Sequence, residues 1–534
     1  MNLRKAIKES YIFGILLWLK NLASNSFLFS IDKFHRDDTA SVKKEYTSWI
    51  EYSLVYRIFM YLESNIRKLE SFLHDSIVNS RIYTVIFSRF LDRRSRPKRK
   101  SNNPILNNSY AYNLLMKAVE NATVKDILLI LTVYYIFVDA FIRRVGILSF
   151  ISSIWDELLL IVLFMYIIFK RIASKGNIKY NFTPMGLPAA IFILAGIIHV
   201  MIIAPELSIA IEGYRAVFQQ VFWYFALTQL IRNTEDSKKV INLMIGMGLF
   251  LGLHATYQYI ARVPMPGNWV DVSENVRTRA YSIVGSPNIL GSLFVLLIPL
   301  AVSMFFTNKD KRLKSFYLIS GLFMILGLFF TMSRGAWLAF AFSVFIFIII
   351  ISPKFILHFI ALGGGFLLLG GSMSQRLLYI FTPTYMSKSA TDGRLYRWKV
   401  GFELWKKNKA FGVGLGRFGG AVAINNKLAP FYLDNYYLKT LTEMGLFGII
   451  AMAFVILCFI ISTFKIMRSQ RDLNRELSIL GLFVAGIGVL VQNFVENIFE
   501  VPAMIIYFWT LIVLIATYIP KKEQLNKKEG GALY

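Results

Sequence analysis

NILGSLFVLLIPLAVSMFFTNKDKRLKSFYLISGLFMILGLFFTMSRGAWLAFAFSVFIFIIII (288–351) is the stretch that decides the class of this protein. It holds three apolar runs, 288–306, 313–331 and 335–351. Each is near the ~20 residues that a helix needs to cross a bilayer. The first joint, TNKDKRLKS (307–315), is crowded with lysine and arginine, and the second, TMSRGAW (331–337), is a tight turn with one arginine. Lysine and arginine collect in cytoplasmic loops, so the basic joint is expected inside and the SRGAW turn outside.

The same pattern runs through most of the chain. From residue 124 onward it predicts about twelve spans, at 124–142, 147–169, 184–204, 207–230, 239–260, 288–306, 313–331, 335–351, 355–371, 438–464, 477–497 and 502–519. The expected fold is therefore all-α and polytopic. The loops 170–179, 231–239, 307–315 and 465–475 and the tail 521–529 are all basic and fall on one side when the N-terminus is inside. Both termini are then cytoplasmic. Arg143 and Arg144 stand on the other side. Two outer segments are long enough to hold chemistry, 261–287 and 372–437.

Composition agrees with this reading. Of 534 residues, 56% are hydrophobic, the mean hydropathy is +0.52 and the formal net charge is +27. A soluble nucleic-acid binder is excluded, because the charge sits in loops beside apolar spans, where anionic lipid is the natural partner. The single cysteine, Cys458, lies inside a predicted span and rules out a disulfide framework. The five histidines show no zinc-ligand spacing, so no metal and no cofactor is expected.

Residues 1–120 read as a separate cytoplasmic region. MNLRKAIKES followed by YIFGILLWLK is short for a signal peptide and reads as an uncleaved interfacial helix. Ile58, Leu62, Ile66, Leu69, Leu73 and Ile77 predict an amphipathic helix that lies on the membrane or on a polysaccharide-assembly partner. The run SRFLDRRSRPKRKSNN (88–103) reads as a linker held by anionic headgroups.

Arginines mark the outer side of residues 121–534. Arg277 and Arg279 precede a Pro287–Asn288 turn that opens a helix. Arg334 follows Ser333, a candidate N-cap, and its bland alternative is a snorkelling side chain beside an interfacial Trp337. Arg394 and Arg397 lie one turn apart on an amphipathic helix predicted over 394–407. Arginine near hydrocarbon is costly, so several of them point to a cavity and an anionic ligand, and phosphate suits their fork. Asp434 opens the block DNYYLKTLTEMGLFG (434–448), with Glu443 about two turns deeper; each reads as a general base or an ion-pair partner. Arg215 has Glu212 one turn before it, giving a structural pair or a ligand contact. Gly414, Gly416 and Gly419 match GxGxxG, but no strand–turn–helix context supports a nucleotide site, and a flexible turn is expected.

Taken in order, these blocks resemble the bacterial O-antigen ligase and polymerase superfamily of integral membrane glycosyltransferases. The pattern is an arginine before Pro-Asn, then SRGAW, then R-x-x-R-W leading to GVGLGRF, then N-x-Y-L and E-x-G-L-x-G, over residues 200–465. The resemblance implies a GT-C-like fold and a polyprenyl-pyrophosphate-linked oligosaccharide donor. It implies transfer to a glycan acceptor hydroxyl at the outer face of a bacterial plasma membrane. It assigns the pyrophosphate to Arg277 or Arg279, Arg334 and Arg394 or Arg397. Asn288, Asn435 and Tyr437 of its blocks join Arg215 and Glu443 as substrate-binding candidates. Ligases acting on lipid A core carry histidine before the asparagine of the N-x-Y-L block; this chain has Asp434, which fits a polymerase or a ligase with another acceptor. Asp434 is the expected base, and a single displacement would invert the sugar without a metal. The rival class is a lipid-linked oligosaccharide flippase, which should spread its charges along a central pathway and show related halves. A non-catalytic assembly partner is the third reading.

Overall fold

The computed structural model describes residues 54–78, 123–145, 150–174, 177–266, 276, 278–368, 371–470 and 472–520. The N-terminal interfacial helix, the basic run 88–103, Arg277 and the basic tail lie outside these residues. In chain order the helices are α1 (Leu54–Val78), α2 (Val124–Val133), α3 (Tyr135–Arg144), α4 (Trp155–Ala173), α5 (Gly186–Ile202), α6 (Leu207–Phe218), α7 (Phe222–Leu230), α8 (Thr234–Ile260) and α9 (Pro287–Thr307). There follow α10 (Lys311–Phe330), α11 (Arg334–Ile351), α12 (Ile356–Leu368), α13 (Ser372–Leu378), α14 (Pro383–Thr391), α15 (Arg394–Lys407), α16 (Ala421–Asn425), α17 (Tyr436–Arg468), α18 (Leu473–Gln492) and α19 (Pro502–Ala516). Strands are absent from the described residues.

Among the described residues, six helices are long and apolar enough to cross a membrane: α8, α9, α10, α11, α17 and α18. The remaining expected spans are shorter, broken or more charged. The span expected at 124–142 divides at Tyr134 into α2 and α3, and the one at 207–230 divides at a 3-10 turn over Gln219–Val221. The span expected at 355–371 is a helix of 13 residues, α12.

The chain divides into two units, residues 1–78 with 171–179, and residues 79–170 with 180–534. In the first, α1 carries Glu63 and Glu70 on one face, and both accept hydrogen bonds from the buried Arg171, at 2.9 and 2.6 Å. Its opposite face leaves Leu62, Ile66 and Leu69 exposed, as an amphipathic helix requires.

In the second unit α9 is the central element. It is apolar on nearly all sides, and α8, α10, α11 and α18 surround it. Small residues let the helices close up: Gly481 faces Ser303, and Gly488 faces Ser343. Caps set the ends. Ser286 caps α9 with Pro287 in its first turn, and Asn435 caps α17. The start of α9 meets the end of α18 through Gln492 Nε2 donating to the Asn288 carbonyl, at 3.4 Å, and the start of α17 joins the same end through Tyr436 N and the Asn493 carbonyl, at 2.8 Å. Helices α9, α10 and α11 follow one another through short joints, so the basic joint 307–315 falls at the opposite end of α9, and the joint 465–475, at the far end of α17 and α18, falls there too.

Helix α17 breaks at Gly445, whose φ is +64° and ψ −158°. The freed backbone groups pair with the segment before it. Leu446 N donates to the Lys409 carbonyl and Val413 N to the Thr442 carbonyl, both at 2.9 Å. Irregular backbone among apolar helices survives only with such replacement partners. A Cβ at Gly445 would collide with the backbone of Ala410. Gly445→Ala is therefore expected to cost at least about 1–3 kcal/mol, combining φ strain with that collision. A thermal melt of the purified variant checks this; an unchanged melting temperature would count against the packing described.

Candidate functional site

At the end of the second unit remote from the basic joints lies a cavity of about 300 Å³. Its walls come from segments far apart in sequence. Arg279 and Asn288 enter from the approach to α9, Met332, Ser333 and Arg334 from the α10–α11 turn, and Arg376 from α13. Tyr385, Lys388 and Ser389 enter from α14, Arg394 and Arg397 from α15, and Asp434 from the turn before α17.

Each side chain is held by its local fold. Ala280 N donates to the Phe330 carbonyl, which lays the 278–281 segment along the end of α10. Arg279 is then buried, donating through Nε to the Thr331 carbonyl at 3.0 Å and through Nη2 to Asn288 Oδ1 at 2.9 Å. A guanidinium at a helix C-terminus is favoured by the carbonyls there. Burial still lowers its pKa to about 10, helped by the like charges of Arg334 and Arg394 and opposed by Glu496. Arg376 donates through Nε to the Met332 carbonyl at 2.8 Å, and burial lowers its pKa to about 10 as well.

Arg334 is the first residue of α11 and lies over the rings of Tyr385 and Tyr379, with its guanidinium carbon 5.1 and 5.9 Å from the ring centres. The alternative of an interfacial tryptophan beside a snorkelling arginine does not hold. Trp337 is buried and donates to the Leu328 carbonyl at 2.9 Å. Ser333 occupies the N-cap position without a side-chain cap bond.

Helix α15 covers the predicted 394–407 and brings its two arginines to one carboxylate. Arg397 Nη1 donates to Asp434 Oδ2 at 3.0 Å, and Arg394 Nε lies 3.9 Å from the same oxygen. Burial pushes the Asp434 carboxyl above its ordinary range, with Arg394 and then Arg397 pulling the other way. Arg394 Nη2 also donates to Glu496 at 3.1 Å, and Asn288 Nδ2 donates to that same carboxylate oxygen. Burial moves Glu496 up to about 7; Arg394 opposes this, Asp434 reinforces it and Arg279 opposes it.

Backbone strain gathers here. Met332 and Asp434, both in the cavity wall, have φ of +52° and +53°. Left-handed residues other than glycine persist where the surroundings over-determine them, and they cluster at functional sites. Arg397 Nε is buried without a hydrogen-bond partner among the described residues. An unmet buried donor on a cation marks a place that suits an anion.

The other sequence candidates lie elsewhere. Arg215 bonds Glu157 and, at 3.3 Å, Gln219, outside the cavity walls. Its expected partner Glu212 instead accepts from Asn426 at 3.0 Å. Asn435 is spent on its helix, accepting from Leu438 N at 3.0 Å, and Tyr437 donates to the Leu490 carbonyl at 2.7 Å. Glu443 is fully buried, 2.6 Å from Lys439 Nζ, and it accepts from Phe418 N at 3.1 Å. The glycine segment is held rather than loose: Gly414 N donates to the Glu443 carbonyl at 2.9 Å. Arg376, Tyr379, Tyr385 and Lys388 escaped the sequence reading, because single basic and tyrosine residues scattered through an outer segment carry no spacing signal. Glu496 carries no local signal of its role, since its partners are 102 and 208 residues away.

A search of curated proteins found no match. Residues 319–453 match a family model described as O-Antigen ligase. The matched segment includes Arg334, Arg376, Arg394, Arg397 and Asp434 of the cavity. The match spans about a quarter of the chain, and this part, with much of the cavity wall, is similar to O-antigen ligase.

Proposed function

We propose that the protein transfers a glycan from a polyprenyl-pyrophosphate-linked donor to a glycan hydroxyl, as a polymerase or a ligase, at the outer face of the bacterial plasma membrane. The observation that carries this is the meeting of Arg279, Arg334, Arg394 and Arg397 with Asp434 around one cavity. In the reaction the acceptor oxygen bonds the anomeric carbon while the bond from that carbon to the diphosphate oxygen breaks. The electron pair leaves on the diphosphate. Preorganised guanidinium groups stabilise that charge as it develops and pay no reorganisation at the moment of reaction. Asp434 orients the acceptor hydroxyl and takes its proton. One displacement inverts the anomeric centre. The polyprenyl tail lies among the apolar helices and the glycans project from the cavity.

The test is incubation of the purified full-length chain with a lipid-linked repeat unit and a chelator, without nucleotide sugar. Growth of a ladder identifies a polymerase, and transfer to a different added glycan identifies a ligase. Turnover is expected to survive chelation, because cationic side chains supply the charge that a metal would. Arg334→Ala should raise the KM for the donor, since it removes a phosphate contact. Turnover that is lost with chelator and restored by a metal ion would defeat the proposed mechanism.

A further inference from the structure

The nine-residue segment QNFVENIFE (492–500), from the end of α18 towards α19, lies outside the matched family segment, yet it bonds to α9, α15 and the start of α17, three of the elements that build the cavity. Gln492 reaches Asn288; Asn493 accepts from Tyr436 N at 2.8 Å. Asn497 donates to the Gly419 carbonyl at 2.7 Å and accepts from Asn435 N at 3.1 Å. Glu500 lies 3.1 Å from Lys439 Nζ. Glu496 stands at the middle of the segment, behind the cavity wall.

The contacts of Glu496 form part of a continuous chain. Arg279 donates to Asn288, Asn288 donates to Glu496, and Arg394 donates to Glu496. Arg394 also faces Asp434, which accepts from Arg397. We infer that Glu496 is the positioning residue of the site: it fixes Arg394 directly, and Arg279 through Asn288, in the orientation that receives the departing diphosphate. This rests on the function proposed above.

The donor and acceptor inventory fixes how these groups are turned, and the two arginines call for the negative charge of a carboxylate. An arginine only donates, so Asn288 must turn Oδ1 to Arg279 and its amide nitrogen to Glu496. Two donors therefore arrive at one Glu496 oxygen. A glutamine oxygen could still accept both bonds, but the variant removes the negative charge that Arg394 and Arg279 face and sets an NH₂ group, itself a donor, among these donors. Aspartate keeps the charge but is one methylene short of both donors.

The charged groups facing Glu496 are Arg394 from α15, Asp434 from the turn before α17 and Arg279 from the approach to α9; Asn288 of α9 supplies the neutral contact. Burial holds the Glu496 pKa at about 7 against the two arginines. The carboxylate is thus ionised, and the arginines aligned, on the alkaline side of neutrality. As the pH falls through this value the site gains one positive charge and loses that alignment.

The test uses the full-length protein and three forms, wild type, Glu496→Gln and Glu496→Asp, with thermal melting as a folding control. With lipid-linked donor, Gln should lower kcat by about tenfold or more while the donor KM moves less than about threefold, the mark of an interaction made in the transition state. The wild-type kcat should fall on the acid side with an inflection near 7; Asp should keep that limb at reduced turnover, and Gln should lose it. With inorganic pyrophosphate, Gln should bind about threefold or more tighter than wild type at pH 8, because a repelling charge is gone, and the two should converge at pH 6. Comparing the forms at each pH cancels the titration of pyrophosphate itself.

Wild-type kcat and an unchanged pH profile in the Gln variant would overturn the inference. So would identical pyrophosphate binding by the two forms at both pH values. A wild-type chain that moves no glycan, yet differs from Gln in pyrophosphate binding as stated, would defeat the proposed function and still support an ionised Glu496 beside the anion-binding arginines.

Discussion

Asp434→Asn is expected to lower turnover by about 10²–10⁴-fold, the usual contribution of a positioned general base. The substitution isolates charge. Asp434 has a φ of +53°, and asparagine accepts the left-handed region as well as aspartate does, so the turn before α17 should keep its shape. Both arginine contacts reach Oδ2, which leaves Oδ1 for the acceptor hydroxyl. The opposing influences on Asp434 are suited to the task. Burial raises its pKa and so its basicity, while Arg394 and Arg397 pull the other way. Donor binding should survive, and by the same charge argument as for Glu496→Gln it should tighten rather than weaken, because the arginines that face the diphosphate remain and a negative charge beside them is gone. Single-turnover transfer at saturating donor, beside direct donor binding, separates the two effects. Near-normal transfer by the Asn variant would move the base elsewhere. Glu443 is then a poor substitute, since Lys439 and Phe418 N already enclose it, and Glu496 becomes the nearer carboxylate.

Much of this architecture is legible in the chain itself. The boundaries of α9, α10 and α11 follow the apolar runs of 288–351, because length, hydropathy and caps agree there. Arg279, Arg334, Arg394 and Arg397 stand out because a charge beside an apolar span needs a reason. Other features belong to tertiary structure. The break at Gly445 needs the backbone of 409–413 against it, and no local pattern announces that. Arg215 sits one turn from Glu212 but bonds Glu157, 58 residues away, so proximity along a helix misled. Trp337 beside a turn reads as interfacial, yet α10 offers its indole a carbonyl and buries it. Glu496 and Arg376 act through partners that only the fold brings near.

Lys439→Met is expected to destabilise the folded protein by about 3–5 kcal/mol, the usual cost of removing one member of a buried ion pair. Lys439 is 4% exposed and lies 2.6 Å from Glu443 and 3.1 Å from Glu500, which are 1% and 8% exposed. Methionine fills most of the volume, so the loss is mainly electrostatic. It leaves two carboxylates in an apolar setting with no cation between them, and neither can turn to water. The damage should reach the cavity. Glu443 also accepts from Phe418 N, and the Asn497 that bonds Glu500 also holds the Gly419 carbonyl. The triad therefore ties the glycine segment, α17 and the 492–500 segment together behind the arginines. Denaturant unfolding of the detergent-solubilised protein measures the cost. The triple variant Lys439→Met, Glu443→Gln, Glu500→Gln should recover part of it, because it removes the stranded charges along with their partner. A single variant as stable as wild type would mean that water reaches these carboxylates, and the burial described for the triad would be wrong.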